Sequence, residues 1–166
     1  MTGVQTCALP ICTISNSASA GGTLYGTTSA TSSSSTTLTI AATLTGQIMP
    51  GAVIYGPLGT IPAGTVITNQ QFGATGAATA NTTATGTSGQ NTLSLTSATG
   101  VVVGQLVCGN GAAIAGIPAG TYVVSLSGTT ATLSQNLTGA ISTTVYFYTP
   151  GGLGAYTTNK IGRAHV

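Results

Sequence analysis

Hydroxyl side chains are the most abundant groups in this chain that could react with a substrate. Its 166 residues include 34 Thr and 15 Ser. A hydroxyl nucleophile needs a base to take its proton and a partner to orient that base, usually a histidine and a carboxylate. The sequence has no Asp or Glu, and its one histidine is His165. Hydrolytic and acid–base chemistry are therefore excluded, and we predict a protein without catalytic residues that is not an enzyme.

The sequence also lacks the combinations of side chains that usually bind metals and cofactors. Zinc sites combine thiols with imidazoles, and calcium sites need carboxylates. Cys12 and Cys108 stand alone in the sequence, without imidazole or further thiols nearby. We predict neither a metal site nor a cofactor. For Cys108 a small buried apolar role within a strand is favoured over a disulfide with Cys12, which an oxidising compartment would allow.

A pair of glycines after an apolar run, Gly109 and Gly111, faintly resembles a dinucleotide-binding fingerprint. The third glycine is missing, because Ile114 occupies its position. Pro118 and the β-branched residues after it are incompatible with the helix that should follow, and no acidic residue is present to hold a ribose hydroxyl. We predict a hairpin loop here.

Charged and aromatic residues limit the classes of partner. Lys160 and Arg163 are too few to neutralise a nucleic-acid backbone. Gly, Thr, Ser or Pro interrupts every apolar stretch well before the roughly 18 residues of a membrane span. We therefore predict neither nucleic-acid binding nor membrane insertion. The six tyrosines are expected to pack half-buried in a sheet, and stacking on glycans is the alternative.

Both ends of the chain resemble translated sequencing-adapter DNA. One back-translation of residues 161–166 has a reverse complement that encodes Thr-Cys-Ala-Leu-Pro, the sequence of residues 6–10. A shared inverted origin is expected if one oligonucleotide was joined to each end of a DNA fragment. We therefore expect residues 1–11 and 161–166 to be artefacts, and the stretch between them to be an internal piece of a longer protein.

An internal repeat organises the rest of the chain. Thr37-Leu-Thr-Ile40 and Ile61-Pro-Ala-Gly-Thr65 recur as Thr92-Leu-Ser-Leu95 and Ile117-Pro-Ala-Gly-Thr121. The alternation in the first element is typical of strands. In the second element, proline favours a turn, glycine accepts positive φ and the β-branched residues after it start a new strand.

These patterns predict an all-β fold of two tandem small repeats, each a β-sandwich or a β-barrel-like unit, after a low-complexity N-terminal segment. Both architectures fit the strand spacing, and we prefer the sandwich. The aromatic run Thr143–Tyr148 is the predicted core strand, and Gln71–Gln90 is a predicted loose excursion. The predicted segments are an artefact at 1–11, a Ser/Thr/Gly linker at 12–35, repeat 1 at 36–90, repeat 2 at 91–149, a linker at 150–160 and an artefact at 161–166.

Small uncharged repeats are expected to assemble. A module of about 55 residues buries little surface by itself. Soluble proteins usually protect sheet edges with charges, and this chain has almost none. We predict a homo-oligomer, or packing against neighbouring modules of the same chain.

The repeat resembles the tandem Gly/Thr/Val-rich β-modules of phage tail-fibre and other virion structural proteins, and of large bacterial surface proteins. Three segments carry the resemblance: Val103–Gly109, Gly116–Val123 and Gly128–Ser134. The first copy departs from the pattern at Pro57–Gly59 and lacks the Gly-Thr-Thr-x-Thr-Leu-Ser strand. The resemblance implies a virion or a cell-surface location.

The resemblance leaves three functions open. The first is a structural or spacer module of a phage or virion fibre that self-associates through sheet edges. The second is a bacterial adhesin repeat that binds glycans through exposed tyrosines. The third is an accessory domain of a larger enzyme. Flanking virion genes, a signal peptide with a cell-wall anchor, or a neighbouring catalytic domain would distinguish them.

Overall fold

The computed structural model describes residues 13–15, 36–40, 47–55 and 62–160. All regular structure within these residues is β, which confirms the predicted all-β class. Its strands are β1 (Thr13–Ser15), β2 (Thr37–Ile40), β3 (Val53–Tyr55), β4 (Thr65–Gly73), β5 (Ala80–Gly86), β6 (Thr92–Leu95), β7 (Leu106–Cys108), β8 (Val123–Ser127), β9 (Thr130–Leu133), β10 (Ile141–Tyr148) and β11 (Gly154–Thr158). The predicted artefacts and most of the predicted linker 12–35 lie outside the described residues.

The strands form two antiparallel sheets. A five-stranded sheet has the order β1-β3-β4-β11-β2, and a six-stranded sheet has the order β7-β10-β5-β6-β9-β8. In the short strands the side chains alternate, as the sequence predicts: in β6, Leu93 and Leu95 are buried while Thr92 and Ser94 are exposed. This alternation gives each sheet one apolar face to bury.

The six-stranded sheet curls until its two end strands meet. Leu106 of β7 forms an isolated antiparallel bridge with Tyr122, next to β8. The Val107 N–H donates to the Thr121 carbonyl at 2.8 Å. The curl encloses a core that includes the fully buried side chains of Val145 and Phe147. A barrel-like arrangement therefore describes this sheet better than the sandwich that we preferred.

The prediction of β10 as the core strand is confirmed, and the prediction of a loose excursion at Gln71–Gln90 is wrong. Strand β5, within that range, lies between β10 and β6. It lacks large apolar side chains because its neighbours already fill the space. A Cβ at Gly86 would lie 2.5 Å from Leu137 Cδ1 and 2.8 Å from Leu93 Cδ2.

The boundary between the sheets differs from the boundary that we predicted between repeats. Strand β5 belongs to the six-stranded sheet, although it falls within the predicted repeat 1. Strand β11 belongs to the five-stranded sheet, although it falls within the predicted linker 150–160. Tyr156 of β11 is fully buried in the core of that sheet. The glycine-rich segment at the start of β11 resembles a linker in sequence. Gly154 is nevertheless required there, because a Cβ on it would lie 2.1 Å from the Phe72 carbonyl oxygen.

The sheets contact each other where β4 crosses β7 and β10. Leu106, Cys108 and Tyr148 form a small buried cluster there, with Phe72 packed against it. Gly73 makes the close approach possible, since a Cβ at this position would lie 2.0 Å from Tyr148 Cδ1.

The two Pro-Ala-Gly-Thr segments form the turns that the sequence predicts. Thr65 Oγ1 donates to the Pro62 carbonyl at 2.6 Å, and Thr121 Oγ1 donates to the Pro118 carbonyl at 2.6 Å. The glycines before the two threonines have φ values of 73° and 75°. Positive φ is the conformation that glycine adopts without steric cost. The described residues include no helix long and apolar enough to cross a membrane.

Candidate functional site

The glycine pair after β7 forms a closed loop. The Gly111 N–H donates to Tyr148 Oη at 3.1 Å, and the same hydroxyl donates to the Gly109 carbonyl at 3.0 Å. Gly109 donates its own N–H to the Ala112 carbonyl at 2.9 Å. These backbone groups are bonded to one another and to Tyr148 of β10, whereas a phosphate site needs several N–H groups directed at the ligand. Residues 109–112 thus form a loop, as the sequence predicts.

Several hydroxyl groups in the described residues stabilise the fold through hydrogen bonds. Thr65 and Thr121 are almost fully buried and use their hydroxyls to close the proline turns. Thr79 Oγ1 donates to the Phe147 carbonyl and accepts from Gln105 Nε2. Over the part of the chain that the structure describes, no three His, Cys, Asp or Glu residues come together as metal ligands would.

Cys108 is a free thiol that is 3% exposed and lies between the two sheets. This location agrees with the buried role that we favoured from the sequence, while Cys12 lies outside the described residues. Burial raises the pKa of the Cys108 thiol from its usual 9.0 to about 11, although a backbone hydrogen bond from Gly73 opposes the shift. A protonated, buried thiol is a poor nucleophile and a poor metal ligand.

We expect folded protein to protect Cys108 from alkylation. With Cys7 and Cys12 replaced by serine, Cys108 is the sole thiol. At pH 8 its reaction with iodoacetamide should be at least about 100-fold slower in folded than in denatured protein, because a thiol pKa of about 11 in place of 9.0 leaves about 100-fold less thiolate.

The same pKa difference has a defined effect on stability. The unfolded chain releases the thiol proton at lower pH than the folded chain, so this thiol makes the free energy of unfolding fall as pH rises from about 9 towards 11.

Mass spectrometry of the alkylated protein measures the rate at which iodoacetamide reacts with Cys108. Equal alkylation rates in folded and denatured protein would contradict the burial of Cys108.

Two buried amide side chains were missed by the sequence analysis. Gln105 is 4% exposed and makes three hydrogen bonds: it accepts from the Val102 N–H and donates to Thr79 Oγ1 and the Gly100 carbonyl. Gln70 accepts from the Gly151 N–H at 2.8 Å. Gln70 fixes a loop to β4, and Gln105 joins the segments that precede β5 and β7. Glutamine is common on surfaces, and no local pattern marks these two residues as buried.

The four tyrosines whose side chains the structure describes differ in their exposure. Tyr148 and Tyr156 are at most 2% exposed, and burial is the main cause that raises the pKa of each hydroxyl above its usual range. Tyr146 is half-buried. Tyr122 is 49% exposed, which leaves its ring accessible to a partner. Half-buried packing in a sheet thus describes Tyr146, whereas Tyr122 retains a surface that could stack on a sugar.

An exposed apolar surface lies where β7 meets β8. Tyr122 and Val124 flank the inward-facing Val123, and the Gly104 N–H donates to the Val123 carbonyl at 2.8 Å. Directly before Gly104 come Val102 and Val103. We refer to the exposed group as the apolar seam; its members are 48% to 60% exposed, namely Val102, Val103, Tyr122 and Val124.

The apolar seam is the candidate functional surface. Scattered exposed apolar residues are normal, but contiguous groups mark contact surfaces. Within the described residues, Lys160 is the only charged side chain, and its Nζ donates to the Ala63 carbonyl in the turn before β4. Comparison of the chain with protein-family models, curated proteins and solved structures finds no match. The arrangement can take part in apolar contact and strand pairing.

Proposed function

We propose that the protein is a non-enzymatic structural module of a phage or virion fibre that associates with copies of itself. The observation that carries the proposal is the apolar seam, which lies in a fold without carboxylates and with almost no other charge. The resemblance of the repeat to tail-fibre modules supports a virion location, and a bacterial cell surface is the alternative.

The composition of the strands supports self-association in particular. Soluble sheet proteins place lysines and other charges at strand ends and edges to prevent pairing with a second sheet. The backbone at the start of β8 is already hydrogen-bonded across the curl, because the Val123 N–H donates to the Gln105 carbonyl at 2.9 Å. Self-association here would therefore use the exposed side chains of the apolar seam, and its burial would desolvate four uncharged side chains.

We expect oligomers in solution. In sedimentation equilibrium, both the 166-residue chain and residues 12–160 alone should show a mass well above the 16.0 kDa of one chain. Val124→Lys places a charge within the apolar seam and should return the mass to that of a monomer, with unchanged circular dichroism. Thr143→Lys, at an exposed position of β10, is the matched control and should remain oligomeric. A stable monomer of the unaltered protein would refute the proposal.

Glycan binding by an adhesin repeat is the second candidate function. The observation in its favour is the exposed ring of Tyr122, next to the hydroxyl of Ser134, which accepts from the Tyr122 N–H at 3.1 Å. A glycan array probed with the unaltered protein and with Tyr122→Ala distinguishes the two functions. Binding that depends on Tyr122 would favour an adhesin, whereas oligomers without glycan binding would favour the fibre module.

A further inference from the structure

Strand pairing follows the same order in the two sheets. From β2, the five-stranded sheet runs β2-β11-β4-β3-β1, and from β6 the six-stranded sheet runs β6-β9-β8, then across the isolated bridge to β7 and β10. β2 and β6 contain the repeated Thr-Leu-x-aliphatic segment, and β4 and β8 both follow a Pro-Ala-Gly-Thr turn. In this order, β11 has the same position in the five-stranded sheet as β9 has in the six-stranded sheet.

The registers of β11 and β9 agree over three consecutive residues, Tyr156–Thr158 and Ala131–Leu133. Thr157 lies opposite Thr37 on one side and Asn69 on the other. Thr132 lies opposite the residues at the repeat offsets of 55 and 56, Thr92 and Ser125. One irregularity also coincides, since β4 and β8 each have one extra residue at the next step, Thr68 and Val124. A second register shift, between Ala155 and Tyr156, occurs only in the five-stranded sheet.

Hydrogen bonds outside the ladders extend the agreement. Asn159 Oδ1 accepts from the Val66 N–H at 2.9 Å, as Ser134 Oγ accepts from the Tyr122 N–H at 3.1 Å. Two long side chains cap the middle of the proline turns in the same way, Lys160 Nζ on the Ala63 carbonyl and Gln135 Nε2 on the Ala119 carbonyl. Residues 157–160 therefore occupy the place of residues 132–135.

The connections between these strands differ. In the six-stranded sheet, β8 and β9 are joined by a two-residue turn, Gly128 and Thr129. In the five-stranded sheet, β4 and β11 are separated by residues 74–153, which contain all six strands of the other sheet. The two ends of this long insert are held together, because the Ala74 N–H donates to the Leu153 carbonyl at 2.9 Å.

We propose that residues 74–153 are a second copy of the module, inserted into the β4–β11 hairpin of the first. We call this insert the second unit, and the five-stranded sheet the first unit. The start of β2 and the end of β11 lie together at one end of the first unit, where the Thr158 N–H donates to the Thr36 carbonyl at 2.7 Å. The second unit leaves from the other end, at Gly73 and Gly154. It is a side branch that the first unit displays, and not an in-line spacer.

Force spectroscopy on the full chain tests the load path. Because tension applied at the two ends of the chain enters the first unit through β1 and β11, the first unit should always unfold before the second. A disulfide between Ala74→Cys and Leu153→Cys, in the Cys7→Ser and Cys12→Ser background, closes the ends of the second unit. It should remove the unfolding event of that unit from the force trace. It should also shorten the final extension by about 260 to 290 Å, since about 80 residues each span roughly 3.3–3.6 Å. The reduced protein is the control.

A chimera of the full chain tests the copy relationship. Replacing residues 157–160 by Thr-Leu-Ser-Gln, the sequence of residues 132–135, should preserve both unfolding events. The scrambled replacement Ser-Gln-Leu-Thr should abolish the unfolding event of the first unit and preserve that of the second unit. The inference is overturned if the second unit unfolds first in the reduced protein, if the disulfide fails to form, or if the chimera behaves like the scramble. Because all of these readouts are measured on single molecules, a failure of self-association would leave them unchanged.

Discussion

Gly73→Ala is expected to lower the free energy of unfolding by about 3 kcal/mol, as in severe overpacking of a core. The new methyl group would lie 2.0 Å from Tyr148 Cδ1 and 2.4 Å from Cγ and Cε1 of the same ring. Tyr148 cannot swing away, because its hydroxyl is tied to Gly109 and Gly111 and its ring is buried between the sheets. Urea denaturation followed by circular dichroism measures the loss.

Two further variants separate a clash from a general effect of alanine. Gly152→Ala is the control, because a Cβ there would meet only the Thr149 carbonyl oxygen at an ordinary 3.5 Å. It should change stability by less than about 0.5 kcal/mol. In the double variant Gly73→Ala, Tyr148→Ala, the penalty of the first change should largely disappear, which is the coupling expected of residues in contact. Additive losses would show that Gly73 and Tyr148 do not contact each other.

Tyr156→Ala is expected to lower the free energy of unfolding by about 4 kcal/mol, a value typical of the deletion of a large aromatic side chain from a core. The ring is fully buried with Leu38, Ile40 and Ile67, and its hydroxyl donates to the Gly152 carbonyl. Since small domains are stable by only about 5–15 kcal/mol, most of the stability of this sheet would be lost. The loss should be visible in the near-ultraviolet circular dichroism and in the midpoint of thermal unfolding.

Tyr122→Ala is the matched control for this deletion. It also removes a tyrosine ring, but from a position that is 49% exposed. Its effect on monomer stability should stay below about 1 kcal/mol. If Tyr156→Ala were as mild as the control, residues 150–160 would be the linker that the sequence suggests, and β11 would not belong to the first sheet.

The sequence predicts those elements whose signals are local. Alternating Thr and aliphatic residues identify β2 and β6, and the dense aromatic run identifies β10. The Pro-Ala-Gly-Thr turns follow from the fixed φ of proline and the positive φ that glycine accepts. Each of these patterns specifies its own conformation without reference to distant residues, which is why sequence reasoning succeeds there.

The elements that sequence reasoning missed depend on distant partners. Strand β5 needs small residues because Leu93 and Leu137 occupy the space beside it. The glycines before β11 resemble a linker until Phe72 is seen against Gly154. The roles of such residues are set by long-range contacts, and a sequence read in windows of ten residues contains no record of those contacts.

The candidate site was predictable in its chemistry and not in its location. The lack of carboxylates is read directly from the sequence, and the apolar run around Cys108 indicates its burial. The apolar seam was not predicted, because it forms only when β7 and β8 meet across the curl of the sheet. Val102, Val103 and Val124 look like ordinary strand residues in the sequence, and only the paired backbone shows that they face outward together.

The hydroxyl, amide and backbone hydrogen bonds that replace ion pairs in this fold affect how it responds to acidity and salt. Acid denaturation of most proteins begins when carboxylates that are bonded in the native state take up protons. This chain has none to protonate, and its loops are fixed by neutral groups such as Gln70 and Gln105. Salt has no ion-pair network to screen. We therefore expect the fold to persist at acidities and salt concentrations that unfold proteins held together by ion pairs.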